Sequence, residues 1–121
     1  METEVKSISI NGIEYVQKSE VEKLEVCDDD YVIVRTYSAG VFAGNLKSRN
    51  GKEVVLNNAR RIWHWEGAAS LSQLATDGTS QPDKCKFPGE VSEILVTETI
   101  EIIPCTKKAR ESIRGVKVWK Y

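Results

Sequence analysis

The chain predicts a small α+β fold: an antiparallel β-sheet, or a curled, barrel-like one, carrying two or three short helices. Three observations lead there. Residues 31–66 contain several short runs rich in β-branched and aromatic residues, separated by turns containing Gly or Asn. Residues 91–103 form one long β-rich run. Ser70 and Thr106 each open a short amphipathic stretch that ends near a glycine, Gly78 or Gly115. At 121 residues the chain suffices for one compact domain that buries a core without staples.

Taken in order, residues 1–30 read as an acidic arm. Ser7–Val16 is a predicted hairpin around Asn11-Gly12, since Asn-Gly suits a tight two-residue turn. Ser19 with Glu22 forms a capping box for a short helix reaching Leu24 or Val26. The β-rich unit, residues 31–121, starts with a strand from Tyr31 to Tyr37. Val32, Val34 and Thr36 then share one face, opposite Tyr31, Ile33, Arg35 and Tyr37. Ser38-Ala39-Gly40 turns into a strand from Val41 to Lys47, and Asn50-Gly51 turns into another from Glu53 to Leu56. Asn57-Asn58 is a loop or bulge before a strand expected from Arg60 to Glu66.

That last strand would carry Arg61, Trp63 and Trp65 on one face and Arg60, Ile62, His64 and Glu66 on the other. Such a strand is either part of the core with snorkelling arginines or a stacking platform for a planar anion, and composition favours the core. Gly67 breaks it. Ser70 and Gln73 then cap a helix whose buried stripe is Leu71, Leu74 and Ala75. Thr76 to Gly89 reads as a long loop, with Phe87 its one aromatic. The run from Val91 to Ile103 should bend near Glu98 to serve two parts of a sheet. Pro104 stops it, Thr106 caps a final helix, and Val116–Trp119 can return as a short edge strand.

Composition excludes several classes. No apolar run approaches the roughly 20 residues of a membrane helix, and the N-terminus is acidic rather than basic-then-apolar. Cys27, Cys85 and Cys105 are odd in number and far apart, and the chain has a single His, His64. Neither a zinc site nor a disulfide framework fits, and a reducing cytoplasm is expected. The formal net charge of −1 hides an asymmetry, −6 over residues 1–30 against +5 over the remainder. Residues 104–121 alone supply six bases against Glu111. An anion-facing C-terminal segment follows, with opposed ends able to meet between subunits. So mild an overall charge argues against binding duplex DNA.

The sharpest chemical signal lies in the last predicted helix. Arg110 and Arg114 are four residues apart and so neighbours on one face, with Lys107 one turn earlier and Ala109 and Ile113 opposite. Two parallel guanidinium forks suit a phosphate or pyrophosphate, although a solvated basic face is the commoner meaning of such a pattern. Enzyme signatures are missing: no Gly-rich phosphate loop, no motif around His64, and no complete calcium loop at Asp28-Asp29-Asp30. Cys85, between Lys84 and Lys86, has no base beside it in sequence. Binding without turnover remains, with no cofactor and no metal.

The stretches Val32–Val41, Ala59–Trp65, Ser70–Ala75 and Ile103–Thr106 resemble a family of small, mostly uncharacterised phage and prophage proteins. Within or close to that group are the phage Thoeris anti-defence proteins, sponges for the cyclic ADP-ribose isomers made by bacterial TIR-domain enzymes. The resemblance covers about residues 31–121. It implies a β-sheet domain in which a late Arg pair, here Arg110 and Arg114, clasps the ligand's phosphates. It also implies dimers or higher oligomers with pockets between subunits, and in some relatives a second interface for cyclic oligonucleotides. For stacking the adenine, Phe87 and Trp65 are candidates by chemistry, and Arg61 can assist the phosphates. The expected function is thus sequestration of a nucleotide signal in the host cytoplasm. The alternative is a small phage interaction protein that binds a host or virion protein, with Trp119 or Tyr121 at its surface.

Overall fold

The computed structural model describes residues 29–120, and the N-terminal hairpin and helix expected over residues 1–28 lie outside the described residues, as does Tyr121. Five strands form one antiparallel sheet in the order β4-β3-β2-β1-β5. They are β1 (Tyr31–Thr36), β2 (Val41–Asn50), β3 (Glu53–Arg61), β4 (Val91–Val96) and β5 (Thr99–Pro104). Helix α1 (Leu71–Asp77) lies between β3 and β4, followed by a single 3-10 turn at Pro82–Lys84, and α2 (Lys107–Gly115) follows β5. The expected α+β class is therefore present, with a sheet that does not close into a barrel.

The sheet is nevertheless strongly curled, for a reason of chain length. Strands β4 and β5 occupy opposite edges but are joined by only Thr97 and Glu98. A flat five-stranded sheet would hold its edges about 19 Å apart. The link from Val96 to Thr99 can span at most about 11 Å. The sheet must roll, and the start of β5 reaches the tip of the β2–β3 hairpin, where the Thr99 amide donates to the Lys52 carbonyl at 3.1 Å. Two local devices give the roll. Asn58 sits at φ 52, where β3 carries one extra residue opposite Ala43 and Asn45 of β2. At Gly44 a Cβ would come within 2.9 Å of the Asn57 carbonyl oxygen, so only glycine lets these strands approach.

Because the sheet rolls, both of its faces are covered. Inside the curl lie Val32, Val34, Phe42, Val54, Leu56, Ala59 and Val96. On the other face Tyr31, Ile33 and Ala43 meet Leu74, Ala75, Ala109, Ile113 and the connecting residues Ile62, Cys85, Phe87 and Cys105. Strand β1 is thus buried on both sides, and its alternation assigns Val32 and Val34 to one core and Tyr31 and Ile33 to the other. Each such aliphatic side chain contributes about 1.5–3 kcal/mol by leaving water.

Several boundaries differ from those expected. Strands β2 and β3 run past the predicted ends to a hairpin whose two loop residues are Gly51 and Lys52, with Asn50 paired to Glu53. Gly51, at φ 62, takes the left-handed first position of the turn, and Asn50, expected in the turn, is instead the last residue of β2. The strand expected over Arg60–Glu66 is overturned: β3 ends at Arg61, and beyond it His64 makes only an isolated bridge to Lys86. Crossing residues draw the chain off the sheet, since the Trp63 and His64 amides both point to the Lys86 carbonyl. Likewise Val116–Trp119 forms no strand, only a bridge from Val118 to Phe87.

The helices begin where their caps predict. Ser70 accepts from the Gln73 amide and Thr106 from the Ala109 amide. The Gln73 side chain reaches back one residue further than a standard capping box, to the Ala69 amide at 2.7 Å. Gly78 ends α1 at φ 77, and a Cβ there would strike the Ser112 side chain at 2.4 Å, so this glycine also permits α1 to meet α2. Gly115, by contrast, is the last helical residue, with Val116 the cap.

Arg60 binds the layers together. It is 2% exposed, and its Nε donates to the Pro88 carbonyl at 2.8 Å, Nη1 to Ile113 at 2.8 Å and Nη2 to Phe87 at 3.0 Å. Its guanidinium also lies over the Phe87 ring, 5.5 Å from the centroid. Burial works against its charge and lowers its pKa from the usual arginine value. Arg60→Ala should lower unfolding stability by about 3 kcal/mol or more, because it removes three hydrogen bonds from a charged donor, each worth about 1.5–3 kcal/mol. Arg60→Lys should recover only part of that, lacking the planar fork. Urea unfolding checks both, and an unchanged midpoint in either would contradict the assignment.

Candidate functional site

The cations that the sequence singled out lie along α2, Lys107 and Arg114 exposed and Arg110 half-buried. Thr106 fixes the start of the helix through its own cap and by donating from Oγ1 to the Thr76 carbonyl at 2.6 Å. Ala109 and Ile113 anchor the opposite side in the core. Arg110 and Arg114 therefore share one flank, and Lys107 is exposed a turn earlier.

Neither arginine is an isolated charge. Arg110 is 15% exposed in its side chain, and its Nη1 donates to Asp29 Oδ1 at 2.9 Å, with Glu111 at 3.8 Å. Arg114, about half exposed, has its Nε 3.5 Å from Glu90 Oε2. Each carboxylate orients one edge of a guanidinium that has five donors in all. Burial by itself would raise the Asp29 pKa, but hydrogen bonds from Arg110 and Asn45 outweigh it and hold the carboxyl below its ordinary value of 3.8. Beneath this flank the Tyr31 hydroxyl is buried, with no hydrogen-bond partner among the described residues. Desolvation raises the pKa of that phenol, with Cys105 and Glu90 adding to the effect and Arg114 and Arg60 opposing it.

The other candidates fall in different places. Phe87 is 0% exposed, beneath Arg60 and among Leu74, Ile113 and Cys85, so its ring offers no open face to a ligand. That overturns the expectation that it stacks a base. A lone aromatic between Lys86 and Pro88 reads as a loop residue in sequence, and only the fold places it at the centre of a layer. Trp65 is half-buried, packs against the core, and donates from Nε1 to the Ala68 carbonyl at 3.1 Å. Arg61 lies over the Phe42 ring at 4.4 Å and donates to the Ala39 carbonyl, on the hairpin between β1 and β2. Of the candidates, Arg110, Arg114 and Lys107 share one element, set along α2 by their spacing.

Trp119, expected at the surface in the alternative reading, is exposed there and paired with Trp63, a pairing the sequence did not suggest. Trp63 and Trp119 lie nearly parallel, with ring centroids 6.4 Å apart and an interplanar angle of 10°. Lys86 Nζ sits 5.7 Å from the Trp119 ring centroid. The residues are 56 positions apart in the chain, so no local pattern joins them. His64 is also at the surface, with Nε2 3.1 Å from Glu66 Oε2. Among the described residues no group of His, Cys, Asp and Glu could hold a metal ion. A depression of about 370 Å³ lies elsewhere, between the β2–β3 hairpin tip and β5, lined by Arg49, Lys52, Thr99 and Glu101 among others.

A rolled antiparallel sheet with a helical layer on its outer face and a cationic helix flank defines a small α+β domain. The chain belongs to the family described as Domain of unknown function (DUF6948), which matches residues 29–113. No curated protein and no solved structure matches it. No helix among the described residues is long and apolar enough to cross a membrane.

The Asp29–Arg110 contact has a defined pH dependence. A carboxyl whose folded pKa is lowered contributes stability that is present above 3.8 and is lost as pH falls through the lower folded value. A carbon-detected NMR titration should therefore place the Asp29 midpoint below 3.8, and Arg110→Ala should move that midpoint upward. A midpoint unaffected by the substitution would show that the guanidinium does not govern this carboxylate.

Proposed function

We propose that the protein is a non-catalytic sponge for a nucleotide signal of the cyclic ADP-ribose type, made by TIR-domain enzymes, and that it acts for a phage against Thoeris-type immunity. The observation that supports it most is the pair Arg110 and Arg114, four residues apart on the outward flank of α2 with Lys107 nearby. In this reading the two guanidiniums take the ligand's phosphates, exchanging their hold on Asp29 and Glu90 for a more highly charged partner. The resemblance of residues 31–121 to phage anti-defence proteins supplies the identity of the signal.

Sequestration needs no bond to be broken. It works by mass action, an abundant protein with ~nM affinity lowering free signal below what the effector requires. Assembly into a dimer or larger oligomer belongs to the same proposal, with the acidic N-terminal segment of one copy meeting the basic C-terminal segment of another.

Isothermal titration with cyclic ADP-ribose isomers tests this, followed by heating and chromatography of what is released. Tight binding and chemically intact ligand are expected. Arg110→Ala with Arg114→Ala should keep the fold yet weaken binding by at least roughly 100-fold, since charge-assisted hydrogen bonds contribute about 1.5–3 kcal/mol each. Undiminished affinity in the double variant would remove the arginines from the site. Recovery of a hydrolysed ligand would replace the sponge by an enzyme.

A further inference from the structure

The Trp63–Trp119 pair is the largest aromatic surface the described residues leave in solvent, with Trp63 63% and Trp119 39% exposed. It is built rather than incidental. Residues 86–87 run between the two tryptophans: the Trp63 amide donates to the Lys86 carbonyl at 3.1 Å, and the Trp119 amide to the Phe87 carbonyl at 3.0 Å. Phe87 is buried in the core under Arg60, so this short three-chain ribbon is tied directly to the core. Both indoles emerge on the same side, nearly parallel at 10°.

The surroundings are cationic. Lys86 stands over the Trp119 ring, Lys117 and Lys120 flank Trp119 in sequence, and all three are exposed. Of the nearby carboxylates, Glu66 faces His64 and Glu90 faces Arg114. An aromatic face with ammonium groups at its rim matches a ligand that is planar at one end and anionic at the other. Folding leaves two large apolar rings in water here, although the same chain buries Phe87, Phe42 and Tyr31.

We infer that Trp63 and Trp119, with Lys86 over the Trp119 ring, form a stacking site for the base of a nucleotide. The base lies on an open indole face, extending the stack, and its phosphate meets Lys86. The inference goes beyond the reading above, because it concerns a surface other than the Arg110–Arg114 flank and stands on its own geometry.

Titration of the full chain with adenosine 5′-monophosphate, followed by the indole N–H signals in proton–nitrogen NMR spectra, tests it. The chain has three tryptophans, and Trp65, whose indole N–H is held by Ala68, is an internal control. The Trp63 and Trp119 signals should shift saturably while that of Trp65 stays, and ribose 5-phosphate should move none of them. Trp63→Ala and Trp119→Ala should each weaken binding by about 5- to 150-fold, the range for losing one base–aromatic stack. No saturable shift, an equal shift with ribose 5-phosphate, or full affinity in both variants overturns the proposal. So do shifts produced by raising protein concentration alone, which would make the face a contact with a second copy. Cyclic ADP-ribose binding that survives Trp63→Ala but not the double arginine substitution would leave the sponge standing without this site. Stacking of the monophosphate without any cyclic ADP-ribose binding would do the reverse.

Discussion

The structure depends on one buried cation. Arg60 leaves the end of β3 on the helix-facing side, and through three nitrogens it joins β3 to the connection before β4 and to the last turn of α2. The acceptors include the Ile113 carbonyl, which also takes the Val116 amide at the end of α2, and the cation meets the negative end of the helix dipole there. An uncompensated charge at 2% exposure would be strongly unfavourable; here every donor edge of the guanidinium meets a carbonyl and its face meets Phe87. One side chain thereby keeps the helical layer in register on the sheet.

The second constraint is the two-residue link between opposite edges of the sheet. It forces the roll, and the roll produces two cores from one sheet. Val32 and Val34 face one, and Tyr31 and Ile33 the other. Positions that look like faults in a strand, Gly44 and Asn58, become necessary once the sheet must bend that sharply.

These two constraints also decide what is left at the surface. The helical layer covers the outer face of the sheet, and the side chains left outside it include Lys107 and Arg114 of α2 and the residues around positions 63, 86 and 119. Asp29 and Glu90 hold Arg110 and Arg114 in place on that helix. Such ion pairs at partly exposed positions contribute little to stability, so their stronger effect is on where the guanidiniums point.

Much of this was legible in the sequence, because it depends on neighbours in the chain. The α+β class, the Ser70 and Thr106 caps, the alternation of β1, and the common flank of Arg110 and Arg114 all follow from periodicity and local hydrogen bonding. The end of β3, the burial of Phe87, the role of Arg60 and the approach of Trp63 to Trp119 do not. Each joins residues 20 or more positions apart, and for a strand with polar and aromatic residues on both faces the period alone cannot say which face meets a layer. The sequence by itself determined which side chains share a local face. Only the tertiary structure decided which of those faces water can reach, since that depends on how far the sheet rolls and on what packs across it.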